Sequence, residues 1–395
     1  MKTTIAILGL LLLILFECAR VYLIMPMPGS QNFDSIEIAY FLGSNKWIIR
    51  LIGYLMVSVP LVLNLRNGVK KEKLIVGGLT AMYLIVFYVF TFKMEADKMF
   101  YQPTKVVTTS LSKNKIPDNK LVIGVVIDSV ASAYPIQLIG YHHQVVDNIN
   151  GNPIMVTYCT VCRTGRIYSL IVNGKQETFR LVGMDHFNAM FEDATTKSWW
   201  RQSTGECIAG PLKGYKLKEF KSEQLILSAW ARIHPNTQIL QPDPLFKEEF
   251  EQMDTYDKGI SRGDLTKRDT ASWKNKSWVL GIQDGANAKT YDWNQLTKQR
   301  IIQDSLPNNP IIILLEKDTA SFHAYSRIIN NEILIFRKKQ DSIWDVNTGS
   351  KWNYEGVCVD GKLKGNMLKG VRCYQEFLHS WEFFHPQSIR YNDLH

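Results

Sequence analysis

The sequence predicts an N-terminal three-helix membrane anchor followed by a β-rich (α+β) extracytoplasmic body made of two tandem related units. Three observations carry this. The first 93 residues hold three long apolar runs. The remainder alternates short β-branched runs with Gly, Asn and Pro. A series of motifs in the first half of that remainder returns, in order, in the second half. The expected division is 1–93 for the anchor, 94–250 for a first unit and 251–395 for a second. With 395 residues, 46% apolar and 21% charged, the chain has room for two or three domains. Its composition excludes a disordered or collagen-like chain.

Ile5 to Phe16 is unbroken and apolar, and Val21 to Met25 continues it. Glu17 and Arg20 interrupt it three residues apart, on one helix face, where they can pair. The second run spans Trp47 to Leu65, with Arg50 near its start and Pro60 near its end. The third, Leu74 to Phe92, carries no charge. Each is close to the roughly 20 residues that a bilayer core requires. A cleaved signal peptide is the competing reading of the first run, but no small-residue cleavage site follows it.

The loop after the second run carries Arg66, Lys70, Lys71 and Lys73, whereas the loop before it carries Lys46 with Asp34 and Glu37. The positive-inside rule makes the 66–73 loop cytoplasmic. Residues 94–395 then lie on the extracytoplasmic side of the inner (cytoplasmic) membrane. The net charge of +9 is spread along the chain rather than gathered in one element. The expected partner is therefore the lipid bilayer, with no nucleic acid.

The repeat is legible residue by residue. Val122-Ile123-Gly124-Val125 returns as Val279-Leu280-Gly281-Ile282, and Asn152-Pro153-Ile154 as Asn309-Pro310-Ile311. Asp193, Thr196, Ser198 and Trp200 return as Asp345, Thr348, Ser350 and Trp352. Cys207 returns as Cys358, Trp230 as Trp381, and His234-Pro235 as His385-Pro386. A charged stretch, 243–270, joins the copies. Leu121–Asp128, Pro153–Cys159, Gly165–Val172, Glu177–Val182 and Pro310–Glu316 read as strands. Asn173-Gly174 reads as a hairpin turn. Ser222–Ile233 and Tyr374–Phe384 read as helices closed by His-Pro.

The sharpest chemical feature is Cys159-Thr160-Val161-Cys162-Arg163. Two thiols at this spacing can share a metal ion, exchange electrons, or close a structural disulfide. A soft ion such as copper(I) suits them best. Arg163 is placed to lower the pKa of its neighbouring thiol. Cys207 is a candidate third sulfur, and His142, His143, His186, Met155, Met184 and Met190 are candidate auxiliary ligands. A His142–His143 pair within a strand would send one ring to each face. In the second copy Glu316 and Thr319 occupy the places of Cys159 and Cys162, so the thiol pair belongs to the first copy alone. Cys207 and Cys358, being equivalent, read as small buried residues, and Cys373 is within reach of Cys358. The repeated Asp-x-x-Thr-x-Ser-x-Trp reads as an Asp-led turn rather than a calcium loop.

The runs Val156-Thr157-Tyr158-Cys159-Thr160-Val161-Cys162-Arg163-Thr164-Gly165, Ser198-Trp199-Trp200-Arg201-Gln202-Ser203-Thr204-Gly205-Glu206, Gly210-Pro211-Leu212-Lys213-Gly214 and His234-Pro235-Asn236-Thr237 resemble a bacterial envelope family known only as domain of unknown function 3179. The resemblance implies a shared β-rich fold and a shared use of the Cys pair, with no substrate. Thr160 stands where the family often has proline, which implies a less rigid turn. Two functional expectations follow. One is a soft-metal (copper-like) or thiol-redox site at the CxxC. The other is a non-catalytic envelope module binding a protein or glycan through Trp199, Trp200 and Trp352, with the CxxC as a structural disulfide. A hydrolase or transferase site between the units is a third.

Overall fold

The computed structural model describes residues 2–307, 309–339 and 342–392. These form two compact units: 1–102 with 172–217, and 103–171 with 218–395. In the first unit the apolar runs are the helices Lys2–Tyr22, Lys46–Asn67 and Lys70–Phe92, each long and apolar enough to cross a membrane. Glu17 does meet Arg20, at 3.5 Å, but its main partner is Arg50. Arg50 donates to Glu17 from Nε at 2.7 Å and from Nη2 at 2.9 Å, and to Thr91 Oγ1 at 2.8 Å. One buried carboxylate–guanidinium pair thus ties all three helices, where a lone charge would be costly.

A further helix, Ile36–Ser44, has nine residues and escaped sequence reading. It is too short for apolar periodicity to distinguish it from a loop. The same unit contains an antiparallel sheet in the order Cys207–Ala209, Trp199–Arg201, Asn188–Asp193, Phe179–Asp185. Met184 donates its backbone N–H to Ile24 O at 2.7 Å, and Trp199 meets Tyr40 edge-on at 5.2 Å.

The second unit shows one succession of elements twice. The hairpin Leu121–Ile127 and Val130–Pro135 leads to the helix Ile136–His142, then to the strands Gln144–Ile149, Asn152–Cys159 and Thr164–Ser169. The hairpin Trp278–Asp284 and Asn287–Asp292 leads likewise to Trp293–Gln299, then to Ile301–Leu306, Asn309–Leu315 and Phe322–Ser326. Bonds recur with the elements. Tyr134 Oη donates to Asp147 at 2.7 Å and Tyr291 Oη to Asp304 at 2.9 Å. Trp230 covers Gly124 and Trp381 covers Gly281 so closely that a Cβ would lie 2.4 and 2.1 Å from indole carbons. Glycine is required at both positions for that approach.

Two expectations on secondary structure are corrected. Ser222–Ile226 is a strand paired antiparallel with Leu121–Ile127, and only Leu227–Ile233 is helical. Cys373–Phe377 pairs likewise with the strand Trp278–Asp284 before the helix Leu378–Phe384. The helix-like spacing of the apolar residues concealed a change from period two to period 3.6 partway along. The His142–His143 pair is not in a strand either. His142 ends a helix and His143 turns the chain with φ 59°.

The Asp-led turns are present. Asp193 Oδ1 accepts the Thr196 N–H, and Oδ2 accepts Trp200 Nε1 at 2.9 Å. Asp345 does the same for Thr348 and Trp352. Trp199, Trp200 and Trp352 are therefore committed inward and buried. They cannot supply the contact surface expected of them.

Candidate functional site

The strand Asn152–Cys159 and the strand Thr164–Ser169 form a hairpin, and the CxxC is its turn, with Arg163 at φ 58°. Three consecutive carbonyls of that turn are clamped. Tyr256 Oη donates to Thr160 O at 2.9 Å, Lys276 Nζ to Val161 O at 2.7 Å, and the Phe377 N–H to Cys162 O at 2.9 Å. These bonds supply the rigidity that proline at Thr160 would otherwise contribute.

Both cysteines are fully buried, and neither is in a disulfide. Burial pushes the Cys162 thiol well above its ordinary value, reinforced by its hydrogen bond with Cys159. The expectation that Arg163 would lower it is corrected. The Arg163 guanidinium turns away, donating from Nε to Gln375 at 2.8 Å and lying 3.9 Å from the Trp278 ring. Lys276 is coupled electrostatically to both sulfurs, and burial holds its ammonium down at about 8. With the thiol pKa raised, the thiolate is scarce at neutral pH. In the native full-length chain we therefore expect Cys159 and Cys162 to resist iodoacetamide at pH 8 and to label fully after denaturation. Mass spectrometry of the labelled peptides checks this, and rapid native labelling would contradict it.

The other predicted ligands are dispersed. Among the described residues no group of three or more His, Cys, Asp or Glu side chains is placed to hold a metal ion. Cys207 belongs to the other compact unit and donates to Ala209 O at 3.5 Å. Burial raises its thiol to about 11. His186 Nδ1 meets Asp185 at 2.6 Å, and Met184 packs beside it in the same sheet. His142 packs between Phe246 and Phe250, at 5.0 and 5.5 Å. His143 Nδ1 bonds Tyr158 O at 2.8 Å. Met155 and Met190 are buried in strands. His234 and His385 do cap helices, each ring tilted against its tryptophan at 4.1 and 4.0 Å. Cys358 donates to Asp360 O rather than pairing with Cys373.

On the far side of Arg163 the second unit contains a cavity of about 690 Å³. Its wall includes Lys120, Asp257, Arg268, Trp278, Asn294 and Gln375. Three buried polar atoms of that wall have no hydrogen-bond partner among the described residues: Asp257 Oδ1, Arg268 Nε and Trp278 Nε1. Orphaned buried donors and acceptors are uncommon and costly. Here the three residues that carry them line one space of ligand size. Asp257 Oδ2 accepts the Leu121 N–H at 2.9 Å, and burial raises the Asp257 carboxyl. Arg268 lies 4.1 Å from the Trp278 ring and donates from Nη2 to Asn294 at 2.8 Å. Sequence reading missed Asp257 and Arg268 because both lie in the 243–270 connector, whose charges read as solvated. The available signal was the aromatic residues Phe246, Phe250 and Tyr256 inside that polar stretch.

Apolar helices of membrane-spanning length, joined to a β-rich body with a buried dithiol and a polar cavity, define a class of membrane-associated protein. The chain belongs to the DUF3179 family, described as proteins of unknown function, whose model matches residues 101–388. No curated protein and no solved structure matches it.

Proposed function

We propose that this is a membrane-anchored binding protein whose body, residues 94–395, lies outside the inner membrane and holds a small polar ligand in the Arg163–Trp278–Asp257 cavity. The observation that carries this reading is that three residues with an orphaned buried polar atom, Asp257, Arg268 and Trp278, line one cavity. The outward orientation rests on Arg66, Lys70, Lys71 and Lys73 between the second and third helices. We read the body as an internal duplication. The recurring elements and bonds support this, as does a contact between equivalent residues: Gln224 Nε2 donates to Gln375 Oε1 at 2.9 Å. The first copy would run to about residue 250, with its Val172–Leu217 arm packed in the helical unit.

The test is a thermal-shift and calorimetric screen of small polar compounds on the full-length protein in detergent. A binder should raise the melting temperature. Trp278→Phe, which keeps the ring and removes the N–H, should weaken its binding by about 1 kcal/mol, roughly fivefold in Kd. The reading fails if binders are unaffected by Trp278→Phe, or if nothing in a broad screen binds.

A second reading keeps the thiol pair as a redox or soft-metal site. It is favoured by one observation, two reduced thiols in mutual hydrogen-bond contact with Lys276 nearby. Two thiolates alone can hold copper(I), and no third ligand is required of Cys207. Equal metal content in wild type and Cys159→Ser/Cys162→Ser, both prepared anaerobically, would remove it.

A further inference from the structure

The cavity wall also indicates what it holds. Arg163 and Arg268 flank one indole, with guanidinium carbons 3.9 and 4.1 Å from the centroid of the Trp278 ring. Among the described residues neither guanidinium forms an ion pair with a carboxylate. Arg163 is satisfied by neutral groups, the Gln375 amide and the Tyr256 and Asp257 carbonyls. Arg268 has a neutral partner, Asn294, and an orphaned Nε. Lys120 is neutralised by Asp254 at 2.6 Å. Asp318 is engaged by backbone N–H groups of Ala320 and Ser321 at 2.8 Å. The buried Arg163 and the partly buried Arg268 therefore face the cavity without a directly paired carboxylate; the acidic groups whose fields reach them are Asp257, in the same wall, and Asp292. Like charges this close oppose one another unless an anion lies between them or beside them. Burial, followed by the field of Arg163, lowers the proton affinity of Arg268, as such crowding requires.

We infer that the cavity binds a small oxyanion, a carboxylate or a phosphate ester, held by Arg268 Nε, the Trp278 indole N–H and the field of Arg163, with Asp257 Oδ1 facing a hydroxyl of the same ligand. Guanidinium groups suit this role because their planar N–H pairs match the spacing of oxyanion oxygens. Arg268 is partly exposed and its Nε buried, so ligand binding calls for a rotation of the side chain that turns Nε to the cavity. The Trp293 ring completes an apolar side against which the carbon skeleton of the ligand can lie. This inference rests on the binding reading above and narrows it to a charge class.

The experiment uses the full-length protein in detergent with four probes: malate, glycerol 3-phosphate, inorganic phosphate and glycerol, each at low and at 0.5 M NaCl. Malate, glycerol 3-phosphate or both should bind, more weakly at high salt, and glycerol should not. Binding of malate alone assigns a carboxylate; binding of the two phosphates alone assigns a phosphate. Arg268→Gln should weaken binding at least tenfold, with Arg268→Lys retaining part of it, whereas Arg372→Gln, outside the cavity, should leave it unchanged. Melting temperatures of the variants separate lost binding from lost folding. Tight glycerol binding without the anions, still sensitive to Trp278→Phe, would overturn the charge class while leaving the binding reading intact. Anion binding indifferent to Arg268→Gln would also overturn it. Failure of all four probes overturns the oxyanion assignment, while the broader screen decides the binding reading separately.

Discussion

Replacing Arg166 by Met should destabilise the protein by about 3–5 kcal/mol at neutral pH, read as a lowered melting temperature in detergent. Arg166 and Glu376 are both buried, Arg166 Nη2 donates to Glu376 Oε1, and Ser380 Oγ donates to Glu376 Oε2 at 2.9 Å. Removing the guanidinium strands a carboxylate in the core, and the cost comes from that stranded charge rather than from a lost attraction. The double variant Arg166→Met/Glu376→Leu should recover most of the loss. The pH dependence has a definite sign. Burial already holds the Glu376 carboxyl above its ordinary value, and loss of Arg166 raises it further. The folded variant therefore retains a proton that the unfolded chain releases near pH 4.3. Stability falls as pH rises from there through the folded pKa, so acidification should shrink the deficit of Arg166→Met relative to wild type. A deficit that widens below pH 6 would show that Glu376 is not the stranded group.

Trp381→Ala should cost about 3–5 kcal/mol, the range for emptying a large aromatic site. The indole is fully buried over Gly281, lies against the tilted His385 ring, and donates to Ser388 Oγ at 2.8 Å. Trp230→Ala should behave alike, since its ring covers Gly124 and donates to Thr237 Oγ1 at 2.9 Å. The complementary change, Gly281→Ala, forces a methyl into the space of the ring and should cost about 1–3 kcal/mol. Equal melting temperatures for Gly281→Ala and wild type would show that the ring yields, and that the packing is looser than described.

The three apolar helices were legible because a hydrocarbon solvent demands long, uninterrupted runs, and such runs survive in one dimension. Of the strands around the short helices, Leu121–Ile127, Asn152–Cys159 and Asn309–Leu315 were legible as β-branched runs, whereas their partners and the helices Ile136–His142 and Trp293–Gln299 were too short to stand out. The junction at Ile226–Leu227 was not, because a strand and a helix sharing the apolar positions Leu225, Ala229 and Trp230 present one continuous pattern. Among site residues, Cys159, Cys162 and Arg163 stood out as a motif. Their surroundings did not, because Tyr256, Lys276, Gln375 and Phe377 reach the turn from far along the chain, and only the folded backbone brings them together. The expected direction for the thiols failed for a related reason. Sequence adjacency of Arg163 says nothing about where its guanidinium points, and a better site over Trp278 draws it away. The tryptophans failed as a docking surface because each Asp-led turn carries its own acceptor for an indole N–H, Asp193 for Trp200 and Asp345 for Trp352, while Glu192 accepts that of Trp199.

The excursion of Val172–Leu217 into the helical unit bears on how the body can be handled. The strand Phe179–Asp185 leans on Ile24 and the indole of Trp199 on Tyr40, so the chain leaves one compact unit, packs within the unit of the apolar helices, and returns. Cutting near residue 102 to obtain a bilayer-free fragment would strip one wall from that sheet and leave its inward tryptophans without cover. The apolar helices are thus a folding template for the Val172–Leu217 segment, not a tether that can be trimmed away.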